Sequence, residues 1–301
     1  MSLNHVLLAV LVAFLWGFNF VVMKLGLTEM PQFLFSGLRF LFVAFPLVLF
    51  IPKPKTSWPI LIGIGFSQGF LSFACMFKGM TLGTPAGLSS IILQMHIPFA
   101  LVLSYFVLNI KPTNQQIAGV SIAVIGMYLI VLSLNYHFIS ISAFLMVVLA
   151  ASFWATANLL LKLAGPVDSF ALVIWSCLFS PIPNFICSYY IEGPDAIIAS
   201  FSGLSLYGFG ALFYTIVFAT WIGATLQTYL IKHYSPIVVA PYSLLIPIVG
   251  MASGWIFLGE TMSLKTILAC GIVFIGLVVN QLPIRKKYTI SLGANKERKA
   301  A

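Results

Sequence analysis

Ten long apolar runs, separated by short breaks that hold almost every charge, set the terms for this 301-residue chain. The runs occupy residues 5–27, 31–51, 58–80, 85–107, 114–133, 140–163, 168–191, 205–230, 236–258 and 263–281. The hydrocarbon core of a bilayer is crossed by about 20 apolar residues in a helix. Backbone groups in lipid must be satisfied inside the segment, so runs of this length predict spanning helices. The breaks carry turn chemistry: Pro31, Pro52-Lys53-Pro54, Gly83-Thr84-Pro85, Lys111-Pro112, Gly165-Pro166, Gly193-Pro194-Asp195 and Ser235-Pro236. Pro181 and Pro183 interrupt the seventh run.

A soluble helical protein needs polar faces, and these runs have almost none. Continuous rather than alternating runs exclude a β-barrel. The first run lacks a basic leader and is long enough for a full span, so it reads as a helix rather than a cleavable signal. Cys75, Cys177, Cys187 and Cys270 fall inside apolar runs at no metal-like spacing, as small packing residues do. The expected architecture is an all-α polytopic membrane protein. Residues 1–283 form a single membrane domain, with one repeat over about 5–133 and a second over about 140–281. Residues 284–301 form a basic cytoplasmic tail.

Ten spans place both termini on one side. If that side is the cytoplasm, eleven of the fifteen Lys and Arg fall inside, and the others are Lys24, Arg39, Lys78 and Lys265. The positive-inside rule then makes both termini cytoplasmic. The net charge of +9 is therefore a topology signal and implies no nucleic-acid partner. The tail from Arg285 to Lys299 reads either as a contact for anionic lipid headgroups or as a solvated end.

The two halves repeat. Trp16, Asn19 and Lys24 in the first span match Trp154, Asn158 and Lys162 in the sixth, with Trp and Lys eight residues apart in both. Ile97-Pro98 matches Ile246-Pro247, and Ile125-Gly126 matches Ile275-Gly276. Each match lies five spans apart, an odd number, so the second half enters the membrane the other way up. Inverted repeats suit alternating access around a site near the midplane.

The chain resembles the EamA family of the drug/metabolite transporter superfamily. The resemblance covers nearly all of residues 6–281. It rests on Leu15-Trp16-Gly17-Phe18-Asn19-Phe20-Val21-Val22 with Lys24, Gly37-Leu38-Arg39-Phe40, Pro85-Ala86-Gly87-Leu88, Leu172-Val173-Ile174-Trp175-Ser176, and Val239-Ala240-Pro241-Tyr242-Ser243-Leu244-Leu245 followed by Pro247. It implies ten helices with cytoplasmic termini in a five-plus-five inverted repeat, in a bacterial inner membrane. It also implies export of small metabolites, often amino acids or derivatives such as cysteine and O-acetylserine. Family members usually carry a Gly-Glu pair after the fourth and ninth spans. Gly259-Glu260 fits the ninth, but Asn109-Ile110 stands after the fourth.

Polar residues at membrane depth are costly and are site candidates by default. Arg39 lies about nine residues into its span, roughly 13 Å deep at 1.5 Å per residue. Its planar guanidinium suits a substrate carboxylate; an Arg tied to carbonyls at a kink, or reaching outward along its stem, is the plain alternative. Lys24, Lys78 and Lys162 sit near span ends, where snorkelling accounts for them. Asn19, Asn158, Gln68, Gln94 and Gln227 are amides for a zwitterion or for helix–helix bonds. Trp16, Trp154 and Tyr242 are candidates to line a cavity, with ordinary packing as the alternative. Pro98 and Pro247 are candidate hinges. The substrate-binding set is thus Trp16, Asn19, Arg39, Gln94, Trp154, Asn158, Gln227 and Tyr242, with no catalytic residue, metal or cofactor expected. The partners expected are a small-molecule substrate and the lipid bilayer.

None of the six acids falls in mid-span, and His96 is the remaining titratable candidate there. That points to transport driven by the substrate gradient, or coupled weakly through exchange, rather than by protons, with sodium coupling through backbone carbonyls left open. An intramembrane enzyme would need a nucleophile–base or metal cluster, yet the chain has no His-Glu-x-x-His and no acidic pair in mid-span. A channel would want charge rings or a filter loop. A drug or nucleotide-sugar carrier on the same scaffold is the nearest rival, although phosphate-bearing cargo favours more cavity cations than Arg39 and Lys24.

Overall fold

The computed structural model describes residues 1–133, 140–234 and 236–281; the tail expected at 284–301 lies outside the described residues. Among the described residues, ten helices are long and apolar enough to cross a membrane. They are span 1 (Leu3–Glu29), span 2 (Gln32–Leu49), span 3 (Trp58–Thr81), span 4 (Ala86–Leu108), span 5 (Asn114–Ser133), span 6 (Ile141–Leu163), span 7 (Ser169–Glu192), span 8 (Leu206–Gln227), span 9 (Pro241–Leu258) and span 10 (Leu264–Gln281). Span 8 continues as helix to His233, and a helix over Pro236–Ser243 leads into span 9. The face where span 1 starts is called here the near face, and the face where it ends is the far face.

Local chemistry starts several spans. The side chains of Ser140, Asp168 and Ser205 accept from the backbone N–H of Ala143, Ala171 and Tyr207, capping spans 6, 7 and 8. Spans 4 and 9 end alike. Asn109 (φ 54°) and Gly259 (φ 63°) both take the left-handed conformation that closes a helix. Ile110 N–H then donates to Ser104 O, and Glu260 N–H to Gly254 O. One helix was not foreseen: Pro194–Ser202 occupies the break after span 7.

The packing follows the inverted repeat. Span 1 packs on spans 8 and 9, and its counterpart, span 6, packs on spans 3 and 4. Spans 2 and 7 pair with each other, as do spans 5 and 10. Small residues permit the last pairing: a Cβ on Gly276 would lie 2.4 Å from Ala123 N, and one on Gly119 would lie 2.5 Å from Asn280 N. Buried Met23, Phe35, Phe40, Phe73, Phe77 and Ile174 form a cluster that joins spans 1, 2, 3 and 7.

Four spans depart from straight helix in matching places. Spans 3 and 8, which are repeat mates, widen to π-helix over Gly65–Ser72 and Tyr214–Ile222. Spans 4 and 9 break just before their prolines. Span 4 tightens to a 3₁₀ turn at Leu93–Met95, and span 9 breaks between Ser243 and Leu245. Pro98 and Pro247 have no N–H to give the carbonyls of Gln94 and Ser243, so the ladder cannot run through either point. Span 7 is split too, into Ser169–Cys177 and Pro181–Cys187, with Pro181 and Pro183 in the first turn of the second piece.

Candidate functional site

Arg39 is a cation buried inside the bundle. It projects from span 2 and is only 5 % exposed. Nη1 reaches Met23 Sδ of span 1 at 3.5 Å, and Nη2 reaches Thr220 Oγ1 of span 8 at 3.5 Å. Nε is buried without an acceptor. The guanidinium carbon stands 4.4 Å from the ring centre of Phe73 and 5.2 Å from that of Phe40. Cys177 of span 7, near the repeat counterpart of Arg39, lies within electrostatic reach of it. Among the described residues no carboxylate pairs with Arg39.

These partners are poor ones for a cation with five donors. A thioether is a weak acceptor, and 3.5 Å is the outer limit of a hydrogen bond. Two aromatic faces attract the charge by about 0.5–2 kcal/mol each when desolvated. Translocon scales put Arg at a helix centre about 3 kcal/mol uphill. Arg39 is therefore held but not neutralised.

Asn19 lies beside it. Its Nδ2 donates to the same Met23 Sδ at 3.4 Å, while its Oδ1 is buried with no donor. Span 1 thus offers a free acceptor close to a cation whose acceptors are weak. The π-helix of span 8 supplies Thr220, whose hydroxyl is anchored on Thr215 O at 2.8 Å.

The remaining candidates divide between three places. Trp154 packs on Phe73 at 5.9 Å and His96 at 6.5 Å, extending the aromatic wall of the Arg39 site into span 6. Trp16, Gln227 and Tyr242 meet elsewhere, around a constriction in the near half with a free volume of about 10 Å³ that Val12, Ser243 and Ile246 also line. That volume holds about one water. Asn158 and Gln94 join neither group by a hydrogen bond; Gln94 is buried in the 3₁₀ turn of span 4, and Asn158 is half-buried.

Several readings change. Trp16 does not leave its indole for a cargo, because Nε1 donates to Ala219 O at 2.8 Å. Trp175 and Trp221 likewise bond to Ile51 O and Val43 O. Lys24 has partners at the far end of the bundle: Nζ donates to Met80 O of span 3, and Glu260 is within electrostatic reach. Lys78 and Lys162 are exposed. His96 bonds to Leu93 O in its own span.

Sequence reasoning missed Met23, Phe73, Thr220, Ser180 and Asn184. Ser180 donates to Gly65 O and Asn184 to Gly69 O, so span 7 stitches down the carbonyls that the wide turn of span 3 leaves over. Three serines and an asparagine in one span, at 176, 180, 184 and 188, recur at helical spacing and could have signalled a polar stripe.

Comparisons with known proteins bear on the family and the fold. The sequence profile described as the EamA-like transporter family matches residues 3–132 and again residues 141–281. A probable amino-acid metabolite efflux pump of Salmonella typhimurium is 36 % identical over 294 residues, 96 % of this chain and 98 % of that protein. A probable amino-acid metabolite efflux pump of Escherichia coli is 33 % identical over 98 % of this chain and 100 % of its own length. A crystal structure at 15 % identity superposes with a TM-score of 0.52, covering 92 % of this chain and 96 % of that one, and supports the fold.

Proposed function

The chain belongs to the EamA-like transporter family, and from that premise we propose that it is a secondary transporter exporting amino acids or close derivatives by alternating access. The near face is the cytoplasmic one, in a bacterial inner membrane, as the excess of Lys and Arg there favours. We place the cargo site beside Arg39. Its guanidinium takes the cargo carboxylate in two-pronged fashion, Asn19 Oδ1 accepts from the cargo ammonium, and Phe73, Phe40 and Trp154 form the wall. Gln94 and Asn158 stand as further cargo contacts, while Trp16, Gln227 and Tyr242 guard the near-side approach. Pro98 and Pro247 are the hinges about which the two repeats rock.

One observation carries this reading: a buried guanidinium and a buried amide oxygen on adjacent spans both lack proper partners. Leaving such groups unsatisfied costs about 1–3 kcal/mol each. A zwitterion supplies an anion to the first and a donor to the second.

The test is uptake of radiolabelled amino acids into inside-out vesicles, with Arg39→Lys and Arg39→Ala beside the parent. Both variants are expected to lose apparent affinity, the lysine less, while an analogue lacking the carboxylate binds parent and variants alike and weakly. Normal amino-acid affinity in Arg39→Ala would refute the clamp.

A further inference from the structure

Spans 2 and 4 begin with a residue that cannot cap them. Their N-cap positions are Pro31 and Pro85, and neither offers a side-chain hydrogen bond. The missing acceptor comes from the other repeat in each case. Glu192, at the end of span 7, accepts from the N–H of Phe33 at 2.7 Å and of Leu34 at 3.1 Å. Glu260, just beyond span 9, accepts from the N–H of Ala86 at 2.5 Å and of Gly87 at 2.9 Å. A third carboxylate, Glu29 at the end of span 1, accepts from Ser205 N–H at 3.3 Å, where span 8 begins.

All three contacts lie on the far face, and all three cross from one repeat to the other. Each sets an anion on a helix N-terminus, where the unsatisfied N–H groups and the helix dipole favour it. The seats are shaped for the carboxylates. A Cβ on Gly254 would lie 2.4 Å from Glu260 Oε2, and one on Gly208 would lie 3.0 Å from Glu29 Cβ.

The near face is built differently. At the backbone position matching Glu260 stands Ile110, after the same left-handed turn. Asp168 caps its own span through Ala171 N–H. The described side-chain bonds between repeats there are neutral or from imidazole: Ser2 N–H and His5 reach Tyr234 Oη at 3.3 and 2.7 Å, His5 reaches Tyr229 Oη at 3.2 Å, Trp175 Nε1 donates to Ile51 O at 2.9 Å, Gln115 Nε2 to Val279 O at 2.8 Å and Asn280 Nδ2 to Gln116 O at 3.3 Å. Hydrogen bonds to an ionised acceptor are roughly twice as strong as neutral ones.

We infer that Glu29, Glu192 and Glu260 are the latches of the far-side gate: they hold the two repeats together at that face and let go each time the transporter opens there. Alternating access requires the repeats to part at one face while they close at the other, so bonds confined to one face bias the equilibrium. Three charged contacts on the far face, and an isoleucine at the near-face position that matches Glu260, favour the state closed on the far side. On the orientation proposed above, that is the state that waits for cytoplasmic cargo, as export needs.

The test measures gate position without any cargo, so its failure is distinct from failure of the amino-acid reading. Full-length protein in lipid nanodiscs, with its four cysteines replaced by alanine, carries spin labels at exposed Thr28 and Leu206 on the far face. A second preparation carries them at Leu3 and Leu163 on the near face. Pulsed electron-spin distance measurement compares the parent with Glu192→Gln and Glu260→Gln. Each is expected to raise the longer-distance far-face population about tenfold, as loss of a capping contact implies. The near-face pair is expected to shift toward shorter distances. Glu29→Gln, with its single longer bond, is expected to shift less. Ile110→Glu places a carboxylate at the matching near-face position and serves if the glutamine variants do not fold; it is expected to move both pairs the opposite way. A lowered melting temperature with unchanged distances would reduce the glutamates to static caps and overturn the proposal. So would an unmoved distance in Ile110→Glu where the glutamine variants cannot be measured.

Discussion

The indole of Trp16 donates to the carbonyl of Ala219 at 2.8 Å, so one bond ties the middle of span 1 to the wide turn of span 8. Ala219 O is available because a π-helix sets its carbonyls out of step with the N–H groups above them. The same ring lines the near-side constriction. Structural anchoring and the proposed guarding of the near-side approach thus meet in one side chain.

Replacing Trp16 separates those roles. Trp16→Phe keeps most of the ring and removes the donor. It is expected to lower stability by about 0.6 kcal/mol, the typical worth of a hydrogen bond in a membrane bundle, and to leave transport rates near normal. Trp16→Ala also empties the constriction and is expected to leak cargo down its gradient. Thermal unfolding and passive efflux from loaded proteoliposomes distinguish the two.

Asn19→Leu is expected to trade function for stability. It removes a buried carbonyl oxygen that has no donor, a group whose desolvation costs about 1–3 kcal/mol. The melting temperature should rise while apparent affinity for an amino acid falls about tenfold. A variant that loses stability and keeps affinity would show that Asn19 binds its neighbours rather than the cargo.

Gly69→Ala is expected to be among the most damaging single-methyl changes in the protein. The added carbon would lie 2.0 Å from Ser180 Oγ and 2.6 Å from Ser180 Cβ, at the seam of spans 3 and 7. Overpacking of this kind costs about 1–3 kcal/mol or more. Gly210→Ala in span 8 meets nothing within 4 Å and should be neutral or stabilising by up to about 1 kcal/mol. Size-exclusion profiles of the two variants after graded heating provide the comparison, and adding Ser180→Gly to Gly69→Ala should recover part of the loss.

Pro98→Ala and Pro247→Ala restore an N–H beneath the carbonyls of Gln94 and Ser243. Straightening either span is expected to slow turnover severalfold; Pro247→Ala is expected to change cargo affinity little, because its break lies outside the Arg39 contacts, whereas Pro98→Ala also moves Gln94 and is expected to lower affinity modestly. Initial rates across a range of cargo concentrations show which parameter moves. Unchanged turnover in both variants would make the kinks fixed features rather than hinges.

Much of the fold was legible in the chain. Run length alone gave ten spans, because the bilayer thickness fixes how many apolar residues a helix needs. The spacing of Trp16 and Lys24 against Trp154 and Lys162 exposed the repeat, and an odd offset of five spans required its inversion. Arg39 declared itself by cost, since a cation at that depth has to be used or neutralised.

The grouping of the polar residues was decided only in three dimensions. Asn19 meets Arg39 through Met23, while Trp16, a turn away on the same helix, belongs to the near-side constriction. Glu260 reads in sequence as a turn residue, yet it caps a helix that begins 174 positions earlier. Hydropathy and helical period are properties of a segment and survive in the sequence. Which faces of two spans meet depends on where glycine seats such as Gly65, Gly69 and Gly254 let backbones approach, and on wide turns at Gly65–Ser72 and Tyr214–Ile222 that rotate everything beyond them. Those are properties of pairs of helices, and the packed bundle fixes them.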